Sequence, residues 1–167
     1  MNNIIVLFGK PGSGKSYIAK KISEEFKYIT FSVDEIMLKL FGEIDGRELF
    51  ENKNKLCLEM IYEISEKILE NTDGNIIYDF GFWKKRDRDN FKERFKKHKV
   101  IFVYINTNDN IRWERVEKRN KENNIDNYYF DKETFEFVSN LFEEFHEDEE
   151  YVLFEDVKIL MEKINKI

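Results

Sequence analysis

Three glycines within six residues, Gly9, Gly12 and Gly14, stand between an apolar run and an amphipathic segment, and few folds accommodate that junction. Residues 3–8 carry Ile4, Ile5, Val6, Leu7 and Phe8 without interruption, the pattern of a short parallel strand covered on both faces. From Lys15 to Phe26 the apolar positions Ile18, Ala19, Ile22 and Phe26 repeat at helical spacing. The glycines therefore form a strand-to-helix turn in which the backbone itself is the working surface.

The rest of the chain continues the alternation. Residues 28–33 read as a strand, followed by a short helix closed by Gly42. A long helix over 49–69 groups Leu49, Leu56, Met60, Ile64 and Ile68 on one face, with Cys57 and Ile61 beside them. After the turn Thr72-Asp73-Gly74 come a strand at 75–80, a basic helix at 84–97, a strand at 100–105 and an arginine-rich helix at 108–121. Helices at 132–146 and 155–167 flank a last short strand at 151–154. This order predicts an α/β fold with a parallel sheet. Nothing in it resembles a linker or a repeat, so residues 1–167 are expected to form one domain.

Residues 9–16, Gly-Lys-Pro-Gly-Ser-Gly-Lys-Ser, match the Walker A pattern at every fixed position, in the strand-to-helix context that the pattern requires. Glycines allow the chain to wrap with N–H groups inward, and the following helix turns its positive dipole end toward an anion. Gly9, Pro11, Gly12, Ser13, Gly14, Lys15 and Ser16 are thus candidate nucleotide ligands. Lys15 would reach the β and γ phosphates, and Ser16 would place its hydroxyl on Mg²⁺.

Composition removes several other classes. No run approaches the roughly 18 apolar residues of a membrane span, and no signal-like segment opens the sequence, so a cytoplasmic protein is expected. Cys57 is the single cysteine and His98 and His146 are the only histidines, which leaves no Cys/His zinc cluster. A net charge of −6 disfavours a broad phosphate-tracking surface and favours small acceptors over polymers. Two basic stretches, 84–99 and 112–121, keep nucleic acid open as an alternative partner.

Phosphoryl transfer to an alcohol needs a carboxylate for the proton and cations for the moving charge. Asp34, at the end of the second strand, is the candidate base; Ser32 with Glu35 would alternatively form a capping box there. Asp79 ends an apolar strand and suits a carboxylate that positions Mg²⁺, or alternatively one that helps hold the acceptor. Arg112, Arg115 and Arg119 lie along one side of a helix, where they could meet phosphate or simply pair with nearby glutamates. Lys85, Arg86 and Arg88 are weaker candidates for holding an acceptor, and Phe82 and Trp83 read as core or as stacking platforms.

Taken together, residues 9–16, Ser32-Val33-Asp34, Asp79-Phe80-Gly81-Phe82-Trp83, and Trp113-Glu114-Arg115-Val116 with Arg119-Asn120 resemble the small bacterial P-loop kinase-like ATPases related to zeta toxins, chloramphenicol phosphotransferase and polynucleotide kinase. That resemblance implies a three-layer P-loop NTPase fold with a five-stranded parallel sheet and the P-loop strand at its centre. It implies Lys15, Asp34, Arg115 and Arg119 as catalytic residues, with Arg115 and Arg119 in a lid, and Ser16 among the metal ligands. The expected activity is an ATP-dependent, Mg²⁺-dependent kinase acting on a small-molecule hydroxyl such as that of an antibiotic, nucleoside or sugar. Arg112 joins the expected nucleotide contacts, and a lid over residues 112–129 would close on the site. A polynucleotide 5′-hydroxyl kinase and a nucleotide-gated binding module are the alternatives.

Overall fold

A computed structural model describes residues 2–122 and 128–166. Its first strand, β1 (Asn3–Phe8), is buried from Ile4 onward and runs into the glycine turn, after which α1 (Lys15–Phe26) begins. The strands β2 (Ile29–Ser32), β3 (Ile76–Asp79), β4 (Lys99–Tyr104) and β5 (Val152–Leu153) complete one sheet in the order β2-β3-β1-β4-β5. All the pairings are parallel. The expected five-stranded sheet with a central P-loop strand is therefore what forms.

Alternation along the strands divides the core in two. Ile4, Val6 and Phe8 of β1 join Ile76, Tyr78 and Phe102 on one face; Ile5 and Leu7 join Ile77, Ile101 and Val103 on the other. The first face is covered by α2 (Val33–Phe41), α3 (Arg47–Asn71) and α4 (Lys85–Arg94) through Met37, Cys57, Ile61, Leu69, Phe91 and Phe95. The second is covered by α1 and the last helix, α7 (Val157–Lys166), through Ile18, Ile22, Leu160, Met161 and Ile164. Two further helices, α5 (Asp109–Lys121) and α6 (Lys132–Asn140), stand at the carboxyl end of the sheet, beside the glycine turn. Among the described residues no helix is long and apolar enough to cross a membrane.

Two local expectations are corrected. On α3 the buried line is Cys57, Ile61, Ser65 and Leu69, while Leu49, Leu56, Met60 and Ile64 are exposed. The two lines are one residue, about 100°, apart on the helix, and hydropathy alone chose the richer one. Ser65 joins the buried line because its hydroxyl donates to the Ile61 carbonyl at 2.7 Å. The helix expected over 132–146 ends at Asn140, and the chain beyond it turns back to meet α4.

That meeting is made by Arg88, which is completely buried. Its guanidinium donates to Glu149 at 2.6 and 2.8 Å and to the carbonyls of Phe82 and Glu143 at 3.2 and 3.3 Å, and lies 4.8 Å from the Phe145 ring centre. Arg88 is a structural tie rather than an acceptor ligand. It braces the turn after β3, where Phe82 holds a left-handed φ of 32° that a non-glycine residue adopts only under support. Replacing Arg88 with Met leaves Glu149 buried without its counter-ion, which costs about 3–5 kcal/mol. Urea unfolding should show that loss, and the paired Arg88→Met/Glu149→Leu variant should recover a large part of it.

Candidate active site

The parallel register brings three strand ends together: Leu7 and Ser32 both lie opposite Asp79. Beyond β1 the chain wraps through Gly9, Gly12 and Gly14, with φ of 156°, 77° and 103°. Gly12 has no alternative, because a Cβ there would lie 2.4 Å from the Arg112 carbonyl oxygen.

The loop is tied down from outside by its carbonyls. Arg112 Nη1 donates to Pro11 O at 3.0 Å, Arg115 Nη1 to Ser13 O at 3.0 Å and Gly12 O at 3.4 Å, and Thr107 Oγ1 to Ser13 O at 3.0 Å. With those carbonyls held outward, the N–H groups of the inner rim and the start of α1 are left for an anion. Lys15 Nζ lies against Gly9 O at 3.0 Å, inside the curve. These features fit the triphosphate of a nucleotide.

Across from the loop stands Asp34, in the first turn of α2. Ser32 caps that helix by accepting from Glu35 N at 3.4 Å, so the capping reading and the site reading hold together. Solvent still reaches Asp34, yet the surrounding protein strips enough hydration to push its carboxyl up to about 6. The charge of Asp79 pushes the same way, while Lys15 and Arg119 oppose it. Asp79 is raised by its own burial, with Lys15 and the Ser16 hydroxyl pulling it back. Lys15 is lowered by burial against the attraction of both carboxylates. Ser16 and Asp79 thus face one another across the loop, an oxygen pair of the hard type that Mg²⁺ takes.

The three arginines of α5 divide between two tasks. Arg112 is buried, with its donors on Pro11 O, on Ser139 Oγ at 3.1 Å and on Asp109 Oδ1 at 2.7 Å, so it supports the loop from behind. Arg115 is exposed at the loop's rim, over Gly12, Ser13 and Gly14. Arg119 alone reaches the cleft: burial lowers it, and Asp34 is the charge that holds it protonated. Its Nη2 donates to Tyr128 O at 3.2 Å, and its buried Nε has no partner among the described residues. Of the expected lid, residues 123–127 lie outside the described residues.

Sequence reasoning passed over Tyr128. Its ring meets Phe50 of α3 at 5.8 Å, and its hydroxyl is pushed up to about 12, first by burial and then by the charge of Asp34. Asn120 clamps the neighbouring residue, donating to Phe130 O at 2.6 Å and accepting from Phe130 N at 3.4 Å. Tyr128 stands in an aperiodic stretch, where no spacing announces which aromatic turns inward. Two cavities, of about 380 and 210 Å³, flank Arg112 on the outer side of the loop and not the cleft between Lys15 and Asp34.

In the basic stretch at 84–99 several cations are engaged within the chain. Lys85 pairs with Asp89 and Asp148, Arg88 with Glu149, Arg94 with Glu59 and Glu66, and Lys96 with Glu93, while Lys99 donates to Ile164 O.

Comparison with known proteins agrees with this geometry. Over 124 residues the chain is 34% identical to the cytidylate kinase of Sulfurisphaera tokodaii, a match that takes in 70% of this chain and 62% of that protein, about three fifths of its length. Among solved structures, Kti12 of Chaetomium thermophilum in complex with ADP-AlF3 superimposes with a TM-score of 0.71 at 16% identity, covering 98% of this chain and 97% of that one. A gluconokinase from Sinorhizobium meliloti 1021 does so with a TM-score of 0.63 at 16% identity, over 97% and 88%. At those identities the two structures speak for the fold, which is the kinase-like P-loop fold. The sequence pattern of the AAA domain family runs from residue 4 to residue 144, through β1, the glycine loop, Asp34, Asp79 and all three arginines of α5, and the chain belongs to that family.

Proposed function

We propose that this protein is an ATP-dependent phosphotransferase that moves the γ-phosphoryl group to a hydroxyl of a small-molecule acceptor. The observation that carries this reading is Asp34: a carboxyl pushed up to about 6, on the far side of the cleft from Lys15 and the glycine loop. A base of that strength is poised near neutral pH, ionised in most molecules yet able to take a proton.

In this reading the inner N–H groups of residues 9–16 and Lys15 hold the β and γ phosphates. Mg²⁺, held by Ser16 and Asp79, would neutralise charge on those phosphates. Asp34 accepts the acceptor's hydroxyl proton as the new oxygen–phosphorus bond forms; the bond to the β-phosphate oxygen breaks and ADP leaves. Arg119, next to both Asp34 and Lys15, offsets the charge on the moving group, and Arg115 holds the loop rim against the nucleotide. We read the acceptor as small because Lys85, Arg88, Arg94 and Lys96 of the basic stretch are engaged by carboxylates of the same chain, which shortens the row left for a strand of phosphates. A cytoplasmic setting, where ATP and Mg²⁺ are abundant, suits the activity.

The test is transfer of label from γ-labelled ATP to a panel of sugars, nucleosides and antibiotics. Asp34→Asn should lower kcat by about 10²- to 10⁴-fold, the usual contribution of a general base, while nucleotide affinity is kept. Hydrolysis and transfer that are both indifferent to the substitution would remove Asp34 from the mechanism. The same base sets the pH profile. A carboxyl with its pKa near 6 is protonated and idle below that value, so kcat/KM for the acceptor should rise with pH through about 6 and level off above it. An acid limb centred near 4, the ordinary aspartate range, would mean that the site does not raise Asp34.

A further inference from the structure

Two polar atoms on residues that the charge of Asp34 acts on are buried and have no partner among the described residues: the hydroxyl of Tyr128 and Nε of Arg119. They are neighbours, since Arg119 Nη2 donates to the Tyr128 carbonyl. A buried hydroxyl left without a hydrogen bond is destabilising, and such a cost persists where a ligand meets the group. Tyr128 is also held with some care. Phe50 packs edge-on against its ring, and Asn120 fixes both backbone groups of Phe130 two residues on.

The charges facing that hydroxyl are informative. Asp34 and Glu43 both act on it, and Cys57 lies behind it. Around them, the cations of α2 and of the start of α3 are engaged: Lys39 with Glu35, Arg47 with Glu51 at 2.7 Å, and Lys53 over the Phe41 ring at 4.9 Å. An acceptor that carried a phosphate or carboxylate would bring its charge toward Asp34 and Glu43, where the cations that act on Asp34, Lys15 and Arg119, are shared with the transferred group. A phenol in these surroundings stays neutral and donates.

We infer that Tyr128 is a specificity-determining residue that hydrogen-bonds a second oxygen of the acceptor, adjacent to the hydroxyl that Asp34 deprotonates, and that the acceptor is an uncharged polyhydroxyl compound. This rests on the phosphotransferase reading and narrows it. The hydroxyl of Tyr128 donates to the neighbouring oxygen, and this contact sets which of two adjacent hydroxyls faces the γ-phosphorus. A molecule with one isolated hydroxyl, or with an anion beside it, lacks that handle.

The experiment measures transfer from γ-labelled ATP to matched probes: glucose with 2-deoxyglucose, cytidine with 2′-deoxycytidine, and gluconate and CMP as anionic counterparts. The expected result is preference for a neutral probe over its anionic counterpart and about a tenfold loss on removing the adjacent hydroxyl. Tyr128→Phe, which keeps the ring against Phe50, should raise KM for the intact neutral probe by about tenfold and erase its advantage over the deoxy form. Equal effects of Tyr128→Phe on intact and deoxy probes would overturn the contact. Transfer to gluconate or CMP but to no neutral probe would overturn the acceptor class while the phosphotransferase reading stands. Label reaching no probe of either kind, with ATP still bound, would overturn both.

Discussion

Leu7, Asp79 and Ser32 stand abreast because β1, β3 and β2 are parallel and in register, and Lys15, Asp34 and Asp79 inherit their places from that alignment. The chain leaves each strand at the same edge of the sheet. From β1 it enters the glycine loop, from β2 the turn that carries Asp34, and from β3 the turn that Arg88 braces. Parallel pairing buries both faces of the central strands and leaves only their ends for chemistry, which is why the ligand crevice of such sheets lies outside the carboxyl ends. A slip of two residues in β3 would move Asp79 by almost 7 Å and part it from Ser16.

Within the cleft, desolvation and pairing are set against each other. Asp79 is withdrawn from water and Lys15 partly so, and each offsets the other's penalty; Asp34, which solvent still reaches, and Arg119 offset each other a short distance away. The balance is incomplete at both acids, where desolvation outweighs the neighbouring cations and raises Asp34 and Asp79 alike.

Much of this was legible in the residues alone. The run from Ile4 to Phe8, the glycine spacing and the helical repeat of α1 could be read because each is local and enforced by backbone geometry. Asp34, Asp79 and the three arginines could be named from the ends of elements and from helical spacing. What stayed hidden depends on partners far along the chain. Nothing near Arg88 announces Glu149, 61 positions away, so a structural tie looked like a surface charge. The buried line of α3 is fixed by what the sheet offers to Cys57 and Ile61, not by which stripe is richer in leucine. Arg112 was read toward phosphate, whereas Pro11, Ser139 and Asp109 engage its donors. Tyr128 has no periodic neighbours to mark it.

The position of β1 in the order β2-β3-β1-β4-β5 also governs how the molecule is made. The strand that ends up at the centre is synthesised well before either of its neighbours, which arrive with Ile76–Asp79 and Lys99–Tyr104. At about 5–20 residues per second, its apolar segment waits some seconds on the ribosome without a partner. Helices α1 to α3 can form locally in that interval, but the sheet they pack on cannot. Collapse therefore depends on contacts between distant parts of the chain, which makes folding slower than in a helical bundle of this size and leaves the nascent chain dependent on protection from aggregation.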